Sequence, residues 1–182
     1  MTSGREPHPA ARTSLMRVVA LSREVIASDL RSVYAMGSSG YGGYVPGWSD
    51  LDVDVIVAET AQHADVVSFN AKMRQRVIAL GYTDVDVRCY RASSLSEPMS
   101  FEYGAANRAA MIHDSAALLF GEDLRPVIRR PDLATLRTEG IGLAQRLVRQ
   151  SEDWWSTRPL DDTAALLALP GRLLRRRGAV LA

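Results

Sequence analysis

Apolar residues recur at helical spacing near the start of the chain, at Leu15, Val18, Val19, Val25 and Ile26, with Arg17, Arg23 and Glu24 on the opposite side. The pattern predicts an amphipathic helix that Thr13 or Ser14 can cap. A short apolar run, Val33 to Met36, predicts a strand ending at Gly37. From Leu51 to Val57 the period changes to two: Leu51, Val53 and Val55 point one way, and Asp50, Asp52 and Asp54 the other. Helical spacing returns from Ala64 to Leu80, where Gly81 is a natural stop. Asp84 to Tyr90 then alternates again, setting Asp84, Asp86 and Arg88 against Val85, Val87 and Cys89.

The first half therefore reads as helix, strand, loop, strand, helix, strand. Ser93 to Met99 reads as a linker. Beyond it the pattern predicts helices over Phe101 to Phe120, Leu133 to Trp155, and from Asp161 to Leu169. The expected organisation is a tail at 1–11, an α/β unit at 12–95 and an α-helical part at 100–182.

Composition narrows this only a little. The chain has 182 residues, 47% hydrophobic and 24% charged, enough for one or two small domains. Basic and acidic residues nearly cancel, at 22 against 21, so bulk charge gives no reason to expect a nucleic-acid partner. A lone cysteine, Cys89, excludes an internal disulfide and fits a reducing compartment; it is expected to be a core thiol. Met1 to Ala11 lacks the apolar core of a signal peptide, and no stretch approaches the ~18–20 apolar residues that span a bilayer. The expectation is a cytoplasmic protein without a membrane segment.

Candidate chemistry lies in one segment. Residues 37–48 form a glycine-rich stretch that leads, through Ser49, directly into the acid-bearing strand. Backbone N–H groups and a hydroxyl suit phosphate oxygens, while paired carboxylates suit the magnesium that bridges them. Asp50 and Asp52 share one strand face, with Cα atoms ~6.5–7 Å apart. Their repulsion raises one pKa unless a cation stands between them. A third acid on the later strand would complete a metal clamp or serve as general base. Asp84 and Asp86 are both candidates; Asp86 is preferred because it lies well inside its strand. Alternating aspartates also line ordinary wet sheet faces, but three in one short strand conflict with strand propensity, as functional sites do. A calcium loop is excluded, since Val55 and Ala61 stand where glycine and glutamate are needed. No Gly-Lys-Ser/Thr and no dinucleotide fingerprint is present.

The run Gly37-Ser38, ten residues, then Ser49-Asp50-Leu51-Asp52 resembles the signature of the nucleotidyltransferase superfamily that includes DNA polymerase β. Val33 to Gly37-Ser38, with Gly42-Gly43-Tyr44, Pro46 and Ser49-Asp50-Leu51-Asp52, is most similar to the streptomycin/spectinomycin adenylyltransferases. Leu118 to Leu124 more weakly resembles a leucine–glycine turn in that family's helical half. The resemblance implies an α+β fold: a small mixed sheet flanked by helices, followed by an α-helical C-terminal domain. It implies ATP as substrate and two Mg2+ ions on Asp50, Asp52 and Asp86. Gly37, Ser38 and Ser49 would bind the nucleotide, Ser38 contacting the triphosphate. Asp86 would be the base, although the family commonly has glutamate there; Asp54 falls where the family usually has an apolar residue and is read as an auxiliary, not a ligand. The implied reaction moves AMP to a hydroxyl of a small, aminoglycoside-like acceptor. The chain is shorter than the antibiotic-modifying enzymes, which keeps open an antitoxin-type enzyme that adenylylates a partner protein or RNA, or a non-catalytic nucleotide-binding module.

The remaining features are open to two readings each. Trp154 and Trp155, beside Glu152 and Asp153, suit either sugar stacking or core packing. Arg108 and His113 suit either a phosphate-facing cleft or a solvated helix face. The Arg172 to Arg177 run suits either a solvated helix end, the preferred reading, or RNA binding, which no interleaved aromatics support.

Overall fold

A computed structural model describes residues 6–46, 48–82, 85–96 and 104–157. The first helix, α1 (Pro9–Ile26), starts earlier than its apolar spacing suggests. Pro9 occupies the first helical position, where a missing N–H costs nothing, and the His8 ring accepts from the Ala10 N–H at 3.3 Å. His8, rather than Thr13 or Ser14, is thus the cap, and residues 9–11 of the expected tail are helix with Ala11 buried in the core.

A 3-10 turn, Ala27–Asp29, leads into β1 (Leu30–Met36). The glycine stretch opens with one short helical turn, α2 (Gly37–Tyr41), before the chain returns as β2 (Leu51–Val57). Next come α3 (His63–Ala79) and β3 (Val85–Arg91). The four strands form one sheet in the order β3-β2-β1-β4, with β2 and β3 parallel and the other pairs antiparallel. β3 is an edge strand. The Asn70 side chain covers part of that edge, accepting from the Cys89 N–H at 2.8 Å and donating to its carbonyl at 2.7 Å.

The second half departs from the helical expectation. Instead of one helix over 101–120, a helix α4 (Ala105–Asp114) is followed by a strand, β4 (Ala117–Gly121), paired to β1. The turn at Ser115 is held by N–H bonds from Ser115 and Ala116 to the Met111 carbonyl. Leu118 to Phe120 is therefore sheet edge, not a turn between helices, and the sheet draws on residues well past the composition break at 93–99. α5 (Leu133–Thr157) matches the predicted amphipathic helix. The third helix predicted from Asp161, the arginine run at 172–177 and Asp84 lie outside the described residues, as do the side chains of Trp154 and Trp155.

Each face of the sheet is covered separately. Val33, Ala35, Val53 and Val55 pack with Leu15 and Val18 of α1 and Met73 and Val77 of α3. Full burial of each of the valine, leucine and methionine side chains is worth about 1.5–3 kcal/mol. On the other face, Tyr34, Met36, Ile56 and Tyr90 pack with Ala109 and Ile112 of α4 and with Leu124 and Ile128. The acids of β2 belong to this second face, beneath α4.

Candidate active site

Sheet register brings the predicted residues to one end of the second face. Met36, Asp52 and Asp86 lie side by side across β1, β2 and β3, and the next row is Tyr34, Asp54 and Arg88. β1 ends where β2 and the parallel β3 begin, so Gly37 and Ser38 meet Asp50, Asp52 and Asp86 at the same edge. The glycines are needed there for close approach. Gly37 has φ +53°, and a Cβ on it would stand 2.7 Å from Asp52 Oδ2. Gly40 packs so tightly that a Cβ would collide with the Ala35 carbonyl oxygen. The Ser39 hydroxyl donates to the Met36 carbonyl at 2.8 Å, while Ser38 is only half-buried beside it. Ser49 sits in the returning loop, its hydroxyl accepting from the Val45 N–H at 3.0 Å, so it braces the loop that delivers Asp50.

Burial, and then the charge of Asp50, push the Asp52 carboxyl up to about 7, with Arg108 pulling the other way. A buried acid raised in this way beside a second carboxylate is a poor arrangement for the protein alone and a good one for a divalent cation. Their hard oxygen donors fit Mg2+, which takes one or two carboxylates and completes its shell with substrate phosphates and water. Because Gly37 has no side chain, Asp52 Oδ2 is left uncovered on that side. Among the described residues no group of three or more His, Cys, Asp or Glu side chains is gathered around one point. Asp86 reaches the same face, but its Oδ2 accepts from Arg88 Nε at 3.0 Å and Nη2 at 2.5 Å. The fit is to the Asp50–Asp52 pair, with Asp86 held one strand away by an arginine.

Below the pair lies a feature that sequence reasoning left unresolved. Asp54 is 1% exposed, with Oδ1 3.3 Å from Arg108 Nη1 and Oδ2 accepting from the Tyr90 hydroxyl at 2.6 Å. Arg108, from α4, is not on a solvated face; its side chain is 3% exposed. Burial raises the Asp54 carboxyl, opposed first by Arg108 and then by the Tyr90 hydroxyl. For Arg108 burial acts downward, but the surrounding acids, Asp54 foremost, outweigh it and hold the guanidinium above its ordinary value. Burial and Asp54 likewise push Tyr90 well up. Tyr90 was missed, yet its place on the Asp86–Arg88 face was legible from alternation. His113 Nε2 lies 2.9 Å from the Ile128 carbonyl oxygen, a packing role. Cys89 is a buried free thiol pushed up to about 12 by burial, as expected of a core cysteine.

Beside β3 runs a groove of about 620 Å³ that reaches Asp86, Arg88 and Tyr90 from the strand and Asn70 and Arg74 from α3. It gives the Asp86 end of the site an approach from solvent.

Spectinomycin adenyltransferase AAD(9) from Enterococcus faecialis, solved with ATP and spectinomycin, matches with a TM-score of 0.56 and 15% identity, over 78% of this chain and 69% of that one. The fold is that of a nucleotidyltransferase. At this identity the likeness establishes the nucleotidyltransferase architecture alone. Toxin–antitoxin structures also align, one with AMP-PNP and one of a tri-AMPylated Shewanella oneidensis HEPN toxin with MNT antitoxin. They cover 77% and 80% of this chain and 94% and 95% of theirs, at 16% and 17% identity, but their TM-scores of 0.41 and 0.39 add nothing to the argument. No family model matches the chain, and no curated protein matches it in sequence. No helix among the described residues is long and apolar enough to cross a membrane.

Proposed function

We propose that the protein is a magnesium-dependent nucleotidyltransferase that moves AMP from ATP to an acceptor hydroxyl. The observation that carries this reading is the convergence of Gly37-Ser38 and the Asp50–Asp52 pair at one end of the sheet, with a glycine pressed on Asp52 Oδ2. Asp50 and Asp52 would hold the cation, which when bound neutralises the triphosphate and the departing pyrophosphate. The short turn after β1 offers backbone N–H groups and the Ser38 hydroxyl to the phosphates. Ser49 keeps the returning loop closed so that Asp50 stays beside Asp52.

Asp86 would accept the proton of the acceptor hydroxyl as that oxygen attacks the α-phosphorus and the bond to pyrophosphate breaks. Arg88 Nε and Nη2 both donate to Asp86 Oδ2, so Oδ1 would be the oxygen that takes the proton. Positioning and charge neutralisation supply most of the rate in such transfers. The resemblance of the signature to aminoglycoside adenylyltransferases, together with the shared fold, supports a small hydroxylated acceptor. Transfer to a partner protein is a second reading, favoured by the outer side of α5, where Leu133 and Ile141 stand 72% and 61% exposed.

The test is transfer of label from α-labelled ATP with Mg2+, screened across aminoglycosides, proteins and tRNA. The expected result is one labelled acceptor class with stoichiometric pyrophosphate, abolished by chelation. No Mg2+-dependent label transfer and no pyrophosphate release with any acceptor would leave a nucleotide-binding module instead.

A further inference from the structure

We infer that Asp54 is a positioning residue that holds Arg108 away from the cation-binding carboxylates. The inference rests on the nucleotidyl-transfer reading above and goes beyond it by giving a task to a buried acid outside the proposed metal pair. Asp54 lies two residues beyond Asp52 on the same face of β2 and is 1% exposed. An aspartate buried mid-strand opposes both strand propensity and solvation, so it needs a specific partner. That partner arrives from α4: Arg108 Nη1 is 3.3 Å from Asp54 Oδ1.

Asp52 is the neighbour of Asp54 on the same strand face, so the guanidinium that meets Asp54 lies one pleat from an acid the cation requires, and its charge is felt there. A buried arginine deprived of its acid is strongly driven to find another. Turning to Asp52, it would take the oxygens that face Gly37 and the phosphate loop. Asp54 prevents this by pairing with Arg108 one pleat deeper. Tyr90 fixes the device, because its hydroxyl donates to Asp54 Oδ2 at 2.6 Å and thereby turns Oδ1 toward Arg108. Arg108 can then offset the crowded acids without capping any cation ligand.

The experiment measures Mn2+ affinity in the presence of a non-hydrolysable ATP analogue, by electron paramagnetic resonance of free Mn2+, with thermal melts recorded alongside. Asp54→Asn is expected to weaken Mn2+ binding roughly tenfold or more, the range seen when a supporting partner of a metal site is lost. Adding Arg108→Met to that variant is expected to restore affinity to near the wild-type value. Tyr90→Phe, which removes only one hydroxyl, is expected to weaken binding less and to be restored in the same way; it serves if Asp54→Asn does not fold. A purely structural pair would lower the melting temperature and leave Mn2+ affinity of the folded protein unchanged. Wild-type affinity in folded Asp54→Asn or Tyr90→Phe, or no recovery on adding Arg108→Met, would overturn the inference while the transfer reading stands. Failure of the wild-type protein itself to bind Mn2+ with the nucleotide would remove both.

Discussion

Asp52 carries two opposing requirements: its position beside Gly37 is what a phosphate-borne cation needs, and its burial beside Asp50 disfavours its charge. Its carboxyl rises from 3.8 to about 7 on folding. Between those values the folded chain keeps a proton that the unfolded chain has released, so the stability tied to this group is greatest below about pH 4 and falls as pH rises through 7. The charged groups facing Asp52 are Asp50 and Asp54 on its own segment, Asp86 on β3 and Arg108 on α4. In chelator, the melting temperature should therefore drop between pH 5 and pH 8, and Asp52→Asn should flatten that part of the slope. An unchanged slope in the variant would contradict the assignment. Asp50→Asn and Asp52→Asn should each cut label transfer by several orders of magnitude with no loss of melting temperature at pH 8. Turnover near wild type in both would place the chemistry elsewhere. The acids and the glycine turn were legible because each is a local pattern, a period of two beside a run of glycines. Arg108 was not, because a lone arginine in an alanine-rich helix reads the same whether it faces water or a buried acid.

Elements were legible where periodicity was long. β2, α3 and α5 fall within a few residues of their patterns, and α1 ends on its pattern although it starts earlier. The exception is the stretch 101–120, where alanine content suggested one helix and the chain instead breaks at Ser115 to place β4 against β1. Local propensity favoured helix; the unpaired edge of β1 decided the matter for residues 117–121. α4 owes its start to a tertiary contact that no local pattern could reveal. The Glu139 carboxylate, from α5, accepts from the Ala106 and Asn107 N–H groups at 3.1 and 3.0 Å, acting as a cap supplied by another helix. Since α4 carries Arg108, this cap also steadies the site. Glu139→Ala should lower unfolding free energy by about 1–2 kcal/mol in urea titration. A change within error would mean that the contact is a solvated one of no consequence.

The whole molecule is a sheet with two differently used faces. One is closed by α1 and α3 into an apolar core, and the other is apolar only until it reaches Asp54, where α4 closes over an ion pair instead of a hydrophobic layer. Strand order could not be read from the sequence, because β4 is separated from its partner β1 by several other elements and pairing at that distance leaves no local trace. The fold class nevertheless emerged from the α/β alternation and the signature's resemblance, and the nucleotidyltransferase architecture is the one observed. The groups proposed to carry the chemistry are concentrated at the end of the sheet where β1 stops and β2 and β3 begin. The most direct measurement is the anomalous scattering of Mn2+ in crystals grown with a non-hydrolysable ATP analogue. The expected result is a peak bound by carboxylate oxygens of both Asp50 and Asp52, with the triphosphate lying against Gly37 and Ser38. A peak away from that pair, or a triphosphate seated elsewhere, would contradict the proposed site.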